Sequence, residues 1–266
     1  MKFFEIVLLG IIQGLTEFFP VSSTGHLVFF QNFFGLREPQ LLTYIMLHFG
    51  TLLSLLVFLR RELVELAQSW GRFCLNPKKN VSDPKIRLLF FLFLASLPIA
   101  FLGYFFYDFF ESLFGSLRAV GGALILTGIF LLLTKLAREK QTNSISHPFF
   151  IGILQGLSLV PGFSRSGFTI GGALLLGWRR KDAAQFSFLL SIPAILGATL
   201  YQLRNIESSP QPWPLLIVGV IVAAITGFIA LTFLVRLIMK GKFSSFSYYC
   251  FLVGLIVILL SFLGNK

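Results

Sequence analysis

The chain has little charge and few acidic residues for its length. Only 12% of its 266 residues are charged, and Asp and Glu together number 11. Soluble proteins carry roughly a quarter charged residues. Hydrophobic residues make up 56% of the chain, 33 of its residues are phenylalanine, and the mean hydropathy is +0.84. This composition excludes an ordinary soluble domain and predicts an all-α integral membrane protein.

Cysteine is also scarce. Cys74 and Cys250 share no local motif, which predicts free thiols. The net charge of +11 is attributed to basic cytosolic loops, and no nucleic-acid partner is expected. The apolar stretch from Ile6 to Ile12 leads to Glu17 without a small-residue cleavage site, so we expect it to be retained.

Six apolar stretches are long enough to cross a membrane, which takes about 20 residues for a ~30 Å hydrocarbon core. They cover residues 41–59, 88–106, 118–136, 184–203, 215–235 and 244–262. Strongly basic connecting segments lie at 60–87, 135–140, 179–181 and 236–242, whereas the other connectors are nearly neutral. The positive-inside rule predicts that the basic segments are cytosolic and that the N- and C-termini lie outside.

Residues 1–38 and 141–178 are apolar but interrupted by proline, glycine and hydroxyl residues. The second segment begins and ends beside basic cytosolic clusters, which predicts a re-entrant hairpin. The first segment precedes a span that runs inward, so its hairpin would enter from outside. Irregular backbone at this depth is tolerated only inside protein or along a cavity.

The two hairpins resemble each other in sequence. Gln13 to Leu15 matches Gln155 to Leu157, and Ser22 to Gly25 matches Ser164 to Gly167, both at a spacing of 142 residues. We therefore predict one membrane domain built from an inverted-topology repeat, in which each half is a hairpin followed by three transmembrane helices. The two halves are residues 1–140 and 141–266.

The first hairpin carries a dense set of polar groups. Gln13 and Glu17 are four residues apart, on one face of a helix that should end around Pro20. A carboxylate near the bilayer centre costs about 2.5–3.5 kcal/mol on insertion scales, so Glu17 should have a partner and a function. The residues that follow Pro20 add three hydroxyls and an imidazole: Ser22, Ser23, Thr24, Gly25 and His26.

The second hairpin centres on Arg165, which has no acidic residue in its own hairpin. A buried guanidinium needs an anionic partner, either Glu17 or a bound anion. Backbone N–H groups and the N-terminus of the following helix would form an oxyanion cradle. The residues of this cradle are Ser164, Ser166, Gly167 and Thr169.

Together the two loops supply the groups that phosphoryl transfer from a diphosphate requires. A serine hydroxyl would attack, His26 would handle the proton, and Arg165 would stabilise the developing charge. Glu17 would either hold a divalent cation or orient His26.

These residues resemble the undecaprenyl-diphosphate phosphatase family, the bacterial bacitracin-resistance proteins. Its hallmarks are an [EQ]-x-x-x-E segment running into P-V-S-S-T-G-H and a P-G-x-S-R-S-G-x-T loop, and the resemblance covers essentially the whole chain. Gln13 stands where some members carry glutamate. The resemblance implies a plasma-membrane hydrolase that recycles the lipid carrier for cell-wall synthesis and confers bacitracin resistance. It also implies Mg²⁺ or Ca²⁺ dependence, a homodimer and a site reached from outside.

Carried onto this chain, the resemblance implies catalytic roles for Glu17, Ser23, His26 and Arg165, with Glu17 as the metal ligand. Either Ser23 or a water molecule would be the nucleophile. We predict that the following residues contact the polyprenyl diphosphate: Gln13, Ser22, Thr24, Gly25, Ser164, Ser166, Gly167 and Thr169.

The two remaining histidines lie outside the loops. We expect His48 to be a packed, hydrogen-bonded side chain and His147 to belong to a turn. The alternative function is transport of a prenyl phosphate, since an inverted repeat suits alternating access and the loop residues could bind a headgroup without cleaving it.

Overall fold

The computed structural model describes residues 2–33, 41–140, 146–203 and 211–263. Every regular element in these ranges is helical, as the composition predicts. The α-helices are α1 (Phe3–Phe18), α2 (Ser23–Phe33), α3 (Leu41–Phe58), α4 (Arg60–Leu75), α5 (Pro77–Asn80), α6 (Pro84–Phe105), α7 (Tyr107–Ser112), α8 (Leu117–Leu133), α9 (Ser146–Leu157), α10 (Arg165–Leu175), α11 (Arg180–Leu203), α12 (Trp213–Met239) and α13 (Phe246–Leu263).

Within the described ranges, five helices are long and apolar enough to cross a membrane. They are α6, α8, α11, α12 and α13, with short 3₁₀ turns extending α8 and preceding α13. A sixth apolar helix, α3, meets α4 at a bend of 74°. These six helices coincide with the six apolar stretches of the sequence, and the chain is a multi-pass membrane protein.

Large apolar side chains cover the outer faces of these helices. Phe93, Phe101 and Ile229 are 63%, 56% and 59% exposed. Exposed apolar surface on this scale would be unstable in water and is expected where lipid is the solvent.

Local sequence signals explain where several helices begin. The Asp83 carboxylate accepts a hydrogen bond from the Lys85 backbone N–H at 2.8 Å, one residue before Pro84 opens α6. The Ser116 hydroxyl caps α8 in the same way, at 3.2 Å from the Ala119 nitrogen.

The basic segment 60–87, expected to be a connecting loop, instead contains helices α4 and α5. The amphipathic pattern of α4 explains the difference, since Leu66 and Ser69 are buried whereas Arg61 and Arg72 are exposed. The Glu65 carboxylate lies 2.5 Å from the ammonium group of Lys85, so an ion pair also joins α4 to α6.

Each predicted hairpin corresponds to a pair of short helices. Helices α1 and α2 contain 16 and 11 residues, which at 1.5 Å per residue gives about 24 Å and 17 Å, less than the hydrocarbon core. Helices α9 and α10 contain 12 and 11 residues. Residues 34–38 and 141–145 of the predicted hairpins lie outside the described residues.

The short helices pack on helices from the opposite half of the chain. Helix α1 packs against α12, and α9 packs against α6. Small residues permit the close approach, because a Cβ atom on Gly14 of α1 would lie 1.9 Å from the Thr226 hydroxyl of α12. Helices α8 and α13 also pack extensively against each other.

Candidate active site

The first loop connects α1 to α2 through a tight, strained turn. Pro20 lies just beyond the end of α1, where it cannot continue the helix. Ser22 has a φ of +67°, the left-handed region that costs a non-glycine residue energy. This conformation turns the chain so that α2 begins at once with Ser23.

The hydroxyl of Ser22 ties the first loop to the second. It accepts hydrogen bonds from the backbone N–H of Gly25, at 3.2 Å, and from that of Gly162, at 3.1 Å. A second link runs from the Ser166 hydroxyl to the carbonyl oxygen of Phe19, at 3.2 Å. The two loops, 142 residues apart in sequence, therefore form one polar assembly inside the helices.

Ser164 repeats in the second loop what Ser22 does in the first. Its hydroxyl caps α10 by accepting from the Gly167 N–H at 3.1 Å, as Ser22 accepts from Gly25. The repeated S-x-[ST]-G pattern thus encodes a helix start in both halves. Each of these helix N-termini carries a partial positive charge, and the start of α2 contacts Gly162, three residues before α10 begins.

Glu17 is buried, with 7% of its surface exposed, and four polar side chains surround its carboxylate. Arg165 donates from Nη2 to Oε1. The Ser23 hydroxyl and the Gln13 amide donate to Oε2 at 2.7 Å and 3.0 Å. The His48 Nε2 atom lies 3.5 Å from the same oxygen. Of the two partners expected for Arg165, the structure provides Glu17.

One hydrogen-bond donor of the Arg165 guanidinium is unpaired in the structure described. Its Nη1 atom is buried and has no hydrogen-bond partner among the described residues. Since α10 begins at Arg165, the guanidinium and the helix N-terminus both favour an anion at this point.

His26 lies on α2 with both ring nitrogens engaged. Nδ1 is 2.8 Å from the Ser22 carbonyl oxygen, and Nε2 is 2.8 Å from the Tyr249 hydroxyl on α13. The Ser23 hydroxyl instead donates to Glu17. The structure therefore pairs Ser23 with the carboxylate and His26 with Tyr249, and does not join Ser23 to His26 by a hydrogen bond.

The other residues predicted to contact substrate lie in or beside the same two loops. Their hydroxyl groups form hydrogen bonds with neighbouring protein groups. The hydroxyls of Thr24 and Ser22 are 3.2 Å apart, as are those of Ser166 and Ser164. The Thr169 hydroxyl donates to the Arg165 carbonyl at 2.8 Å and lies 2.6 Å from the Ser187 hydroxyl. Their contact with substrate stays a prediction.

Two residues of the assembly were not predicted as site residues. His48 is hydrogen-bonded as expected, from Nδ1 to the Tyr44 carbonyl at 2.8 Å, but its other nitrogen faces Glu17. Tyr249 lies in a transmembrane helix with no local motif, and only its contact with His26 marks it. His147 was expected in a turn but lies in α9. Its Nδ1 atom accepts a hydrogen bond from the Trp178 indole at 3.0 Å.

The side chains of Glu17 and its neighbours do not form a metal site by themselves. No group of three or more acidic, histidine or cysteine side chains is close enough to hold an ion among the described residues. Both oxygens of the Glu17 carboxylate already accept hydrogen bonds. Hard cations need about six oxygen ligands, so other molecules would have to supply nearly all of them.

The chain is similar to known proteins over nearly its whole length. The family model described as bacitracin resistance protein BacA matches residues 6–256. The chain is 39% identical to a protein named undecaprenyl-diphosphatase from Desulfatibacillum aliphaticivorans, over 98% of this chain and 100% of the relative. It is also 39% identical to the undecaprenyl-diphosphatase of Carboxydothermus hydrogenoformans, over 100% of both chains. That of Methanococcus vannielii is 38% identical, over 96% of this chain and 98% of the relative.

Proposed function

The chain belongs to the bacitracin resistance protein BacA family, and on that premise we propose that it hydrolyses undecaprenyl diphosphate to undecaprenyl phosphate and inorganic phosphate. This reaction returns the lipid carrier to cell-wall synthesis and confers resistance to bacitracin. The observation that carries the proposal is the contact between Glu17 and Arg165, which come from opposite halves of the chain. Transport of a prenyl phosphate, the alternative, is favoured by none of the contacts described above.

In the proposed reaction the terminal phosphate takes the place of Glu17 beside Arg165. The free Nη1 donor of Arg165 and the N-termini of α2 and α10 then bind its oxygens. Apart from the Nη2 contact that Glu17 gives up, these donors are in place before substrate binds, so they can stabilise the charge on the transferred group.

We propose Ser23 as the nucleophile, with Glu17 as the base that its hydroxyl already contacts at 2.7 Å. The serine oxygen forms a bond to phosphorus, its proton moves to Glu17, and the bond to the prenyl phosphate oxygen breaks. Water then cleaves the phosphoserine: His26 accepts the water proton, and Glu17 returns its proton to the departing Ser23 oxygen, which restores the hydroxyl. The rival mechanism is direct attack by water, in which no phosphoserine forms.

We propose that Glu17 would be the single protein ligand of a divalent cation, through the Oε1 atom that Arg165 gives up to the phosphate, while Oε2 stays with Ser23 and the diphosphate oxygens would supply the other ligands. Mg²⁺ or Ca²⁺ would neutralise part of the diphosphate charge. EDTA should therefore abolish phosphate release, whereas Ca²⁺ alone should give no binding heat with the substrate-free protein in calorimetry. Tight Ca²⁺ binding without diphosphate would contradict this assignment.

We also propose the finer topology, in which six transmembrane helices and two re-entrant helical hairpins form an inverted repeat in a bacterial plasma membrane. The helix packing supports it, because the first short helix of each half packs on the second long helix of the other half. Helix α1 packs on α12, and α9 packs on α6. The four basic segments would be cytosolic, and both termini outside. A homodimer stays a prediction from the family resemblance.

The activity test compares variants of the purified protein in detergent. With Mg²⁺ and undecaprenyl diphosphate, the wild type should release phosphate, and Arg165→Ala should lose about 10²–10³-fold in kcat. Ser23→Ala and His26→Ala should be similarly impaired. Arg179→Ala is the matched control, because Arg179 pairs with Asp182 at the surface. The proposal fails if the wild type releases no phosphate, or if Arg165→Ala matches Arg179→Ala.

A further inference from the structure

The hydrogen bonds of His26 define which tautomer of its ring is present. The Ser22 carbonyl, 2.8 Å from Nδ1, can only accept a hydrogen bond, so Nδ1 carries the proton. In the neutral ring Nε2 then has a lone pair. Tyr249 lies 2.8 Å from that atom, and its hydroxyl donates to it.

Tyr249 also restrains the orientation of the imidazole ring. The two rings are nearly parallel, at an interplanar angle of 11° with centroids 5.7 Å apart. On the other side of His26, the carbonyl of Ser22 is held in place by the left-handed turn of the first loop. The imidazole is therefore fixed from α13 at one nitrogen and from its own loop at the other.

We propose that Tyr249 is a positioning residue for His26, which keeps Nε2 oriented and unprotonated until the attacking water displaces the tyrosine hydroxyl and gives its proton to that lone pair. The inference rests on the proposed function, because it gives His26 the role of base. Removal of the tyrosine hydroxyl would leave the Nε2 lone pair without its partner, and only the Nδ1 contact with Ser22 would then restrain the ring. Partners that orient a metal-binding histidine through its second nitrogen affect affinity or activity by about 10–100-fold, and we expect an effect of the same order here.

The surroundings of Tyr249 allow its hydroxyl to be removed with little effect on packing. The side chain lines an open groove of about 460 Å³ and is 43% exposed. Tyr249→Phe therefore removes one oxygen without opening a buried cavity, and it retains the aromatic ring that lies against His26.

The neighbouring tyrosine provides a matched control. Tyr248 is 63% exposed, and its hydroxyl lies 3.4 Å from the ammonium group of Lys135, away from the two loops. Tyr248→Phe makes the same chemical change one residue earlier in the same helix. Any loss of folding or insertion caused by the substitution itself should appear in both variants.

The experiment measures kcat and KM for the wild type, Tyr249→Phe, Tyr248→Phe and His26→Gln. We expect Tyr249→Phe to lower kcat about tenfold or more while KM changes less than about twofold. Tyr248→Phe should match the wild type. In ¹⁵N NMR of the folded protein, the Nε2 resonance missing from His26→Gln should shift in Tyr249→Phe and stay in place in Tyr248→Phe.

The outcomes separate this inference from the proposed function. If His26→Gln keeps full activity, the role of His26 as base is wrong, and the inference falls with it. If His26→Gln is inactive and Tyr249→Phe has wild-type kcat, only the positioning role of Tyr249 is overturned. A rise in KM at unchanged kcat, or an unmoved Nε2 resonance, would overturn it as well.

Discussion

Glu17 illustrates how a costly residue in a membrane is stabilised by its neighbours. Its carboxylate contacts a guanidinium, a hydroxyl, an amide and an imidazole, contributed by α1, α2, α3 and α10. Removing any one donor from such a buried network leaves the remaining groups less well satisfied. The effect of each neighbour can therefore be measured separately.

His48 offers the first of these measurements. Its Nε2 atom lies 3.5 Å from the Glu17 carboxylate, and its Nδ1 atom is fixed by Tyr44. We expect His48→Ala to lower kcat about tenfold, because the carboxylate loses one of the groups that orient it. His147→Ala, at a histidine bonded to Trp178 instead, is the control and should retain activity. Equal activity of the two variants would show that His48 has no part in the reaction.

The sequence was informative for residues in motifs and uninformative for isolated ones. Glu17 and Arg165 could be predicted because each is too costly to leave unpaired in lipid. The partnership of Ser23 with Glu17 rather than with His26 could not, since it depends on how α2 is rotated about its axis. Tyr249 lies 223 residues from His26, and only tertiary packing brings the two together.

At the scale of helices and turns, the contact between the two loops depends on glycine. Gly162 has a φ of +102°, and a Cβ atom there would lie 2.4 Å from the Val120 carbonyl oxygen. A Cβ atom on Gly25 would lie 3.2 Å from the Gly162 Cα atom, so the backbones nearly touch. Larger residues would separate the loops that carry Glu17 and Arg165.

Gly162→Ala should accordingly lower the apparent unfolding temperature in detergent. The left-handed backbone costs an alanine about 1–3 kcal/mol, and the contact with Val120 adds to that cost. Gly122→Ala is the matched control, because a Cβ atom at Gly122 in α8 meets no atom within 4 Å. An unchanged unfolding temperature for Gly162→Ala would mean that the loops have room to separate.

At the scale of the whole molecule, the apolar stretches predicted the six long helices and their order but not how the two halves pack against each other. The packing of α1 on α12 and of α9 on α6 involves residues far apart in sequence. It depends on shape complementarity, such as Gly14 against Thr226, which hydropathy and charge do not encode. The many basic residues of segment 60–87 indicated a connecting loop, and their presence hid the amphipathic pattern that forms α4.

The proposed orientation can be tested with a cysteine already present. Cys74 lies exposed on α4 within the first basic segment, whereas Cys250 is buried. If that segment is cytosolic, a membrane-impermeant maleimide should label the protein only after cells are permeabilised. Cys74→Ser should then abolish labelling. Efficient labelling of intact cells at Cys74 would reverse the proposed topology.

The central claim is that Glu17 and Arg165 meet around a single phosphate group. The most direct measurement is the affinity for a non-hydrolysable methylene-diphosphonate analogue of a prenyl diphosphate, taken in EDTA so that only the anion binds. Glu17→Gln should bind it several-fold more tightly than the wild type, because Arg165 loses its internal competitor, and Arg165→Ala should bind it at least about tenfold more weakly. An affinity that neither substitution changes would contradict the account.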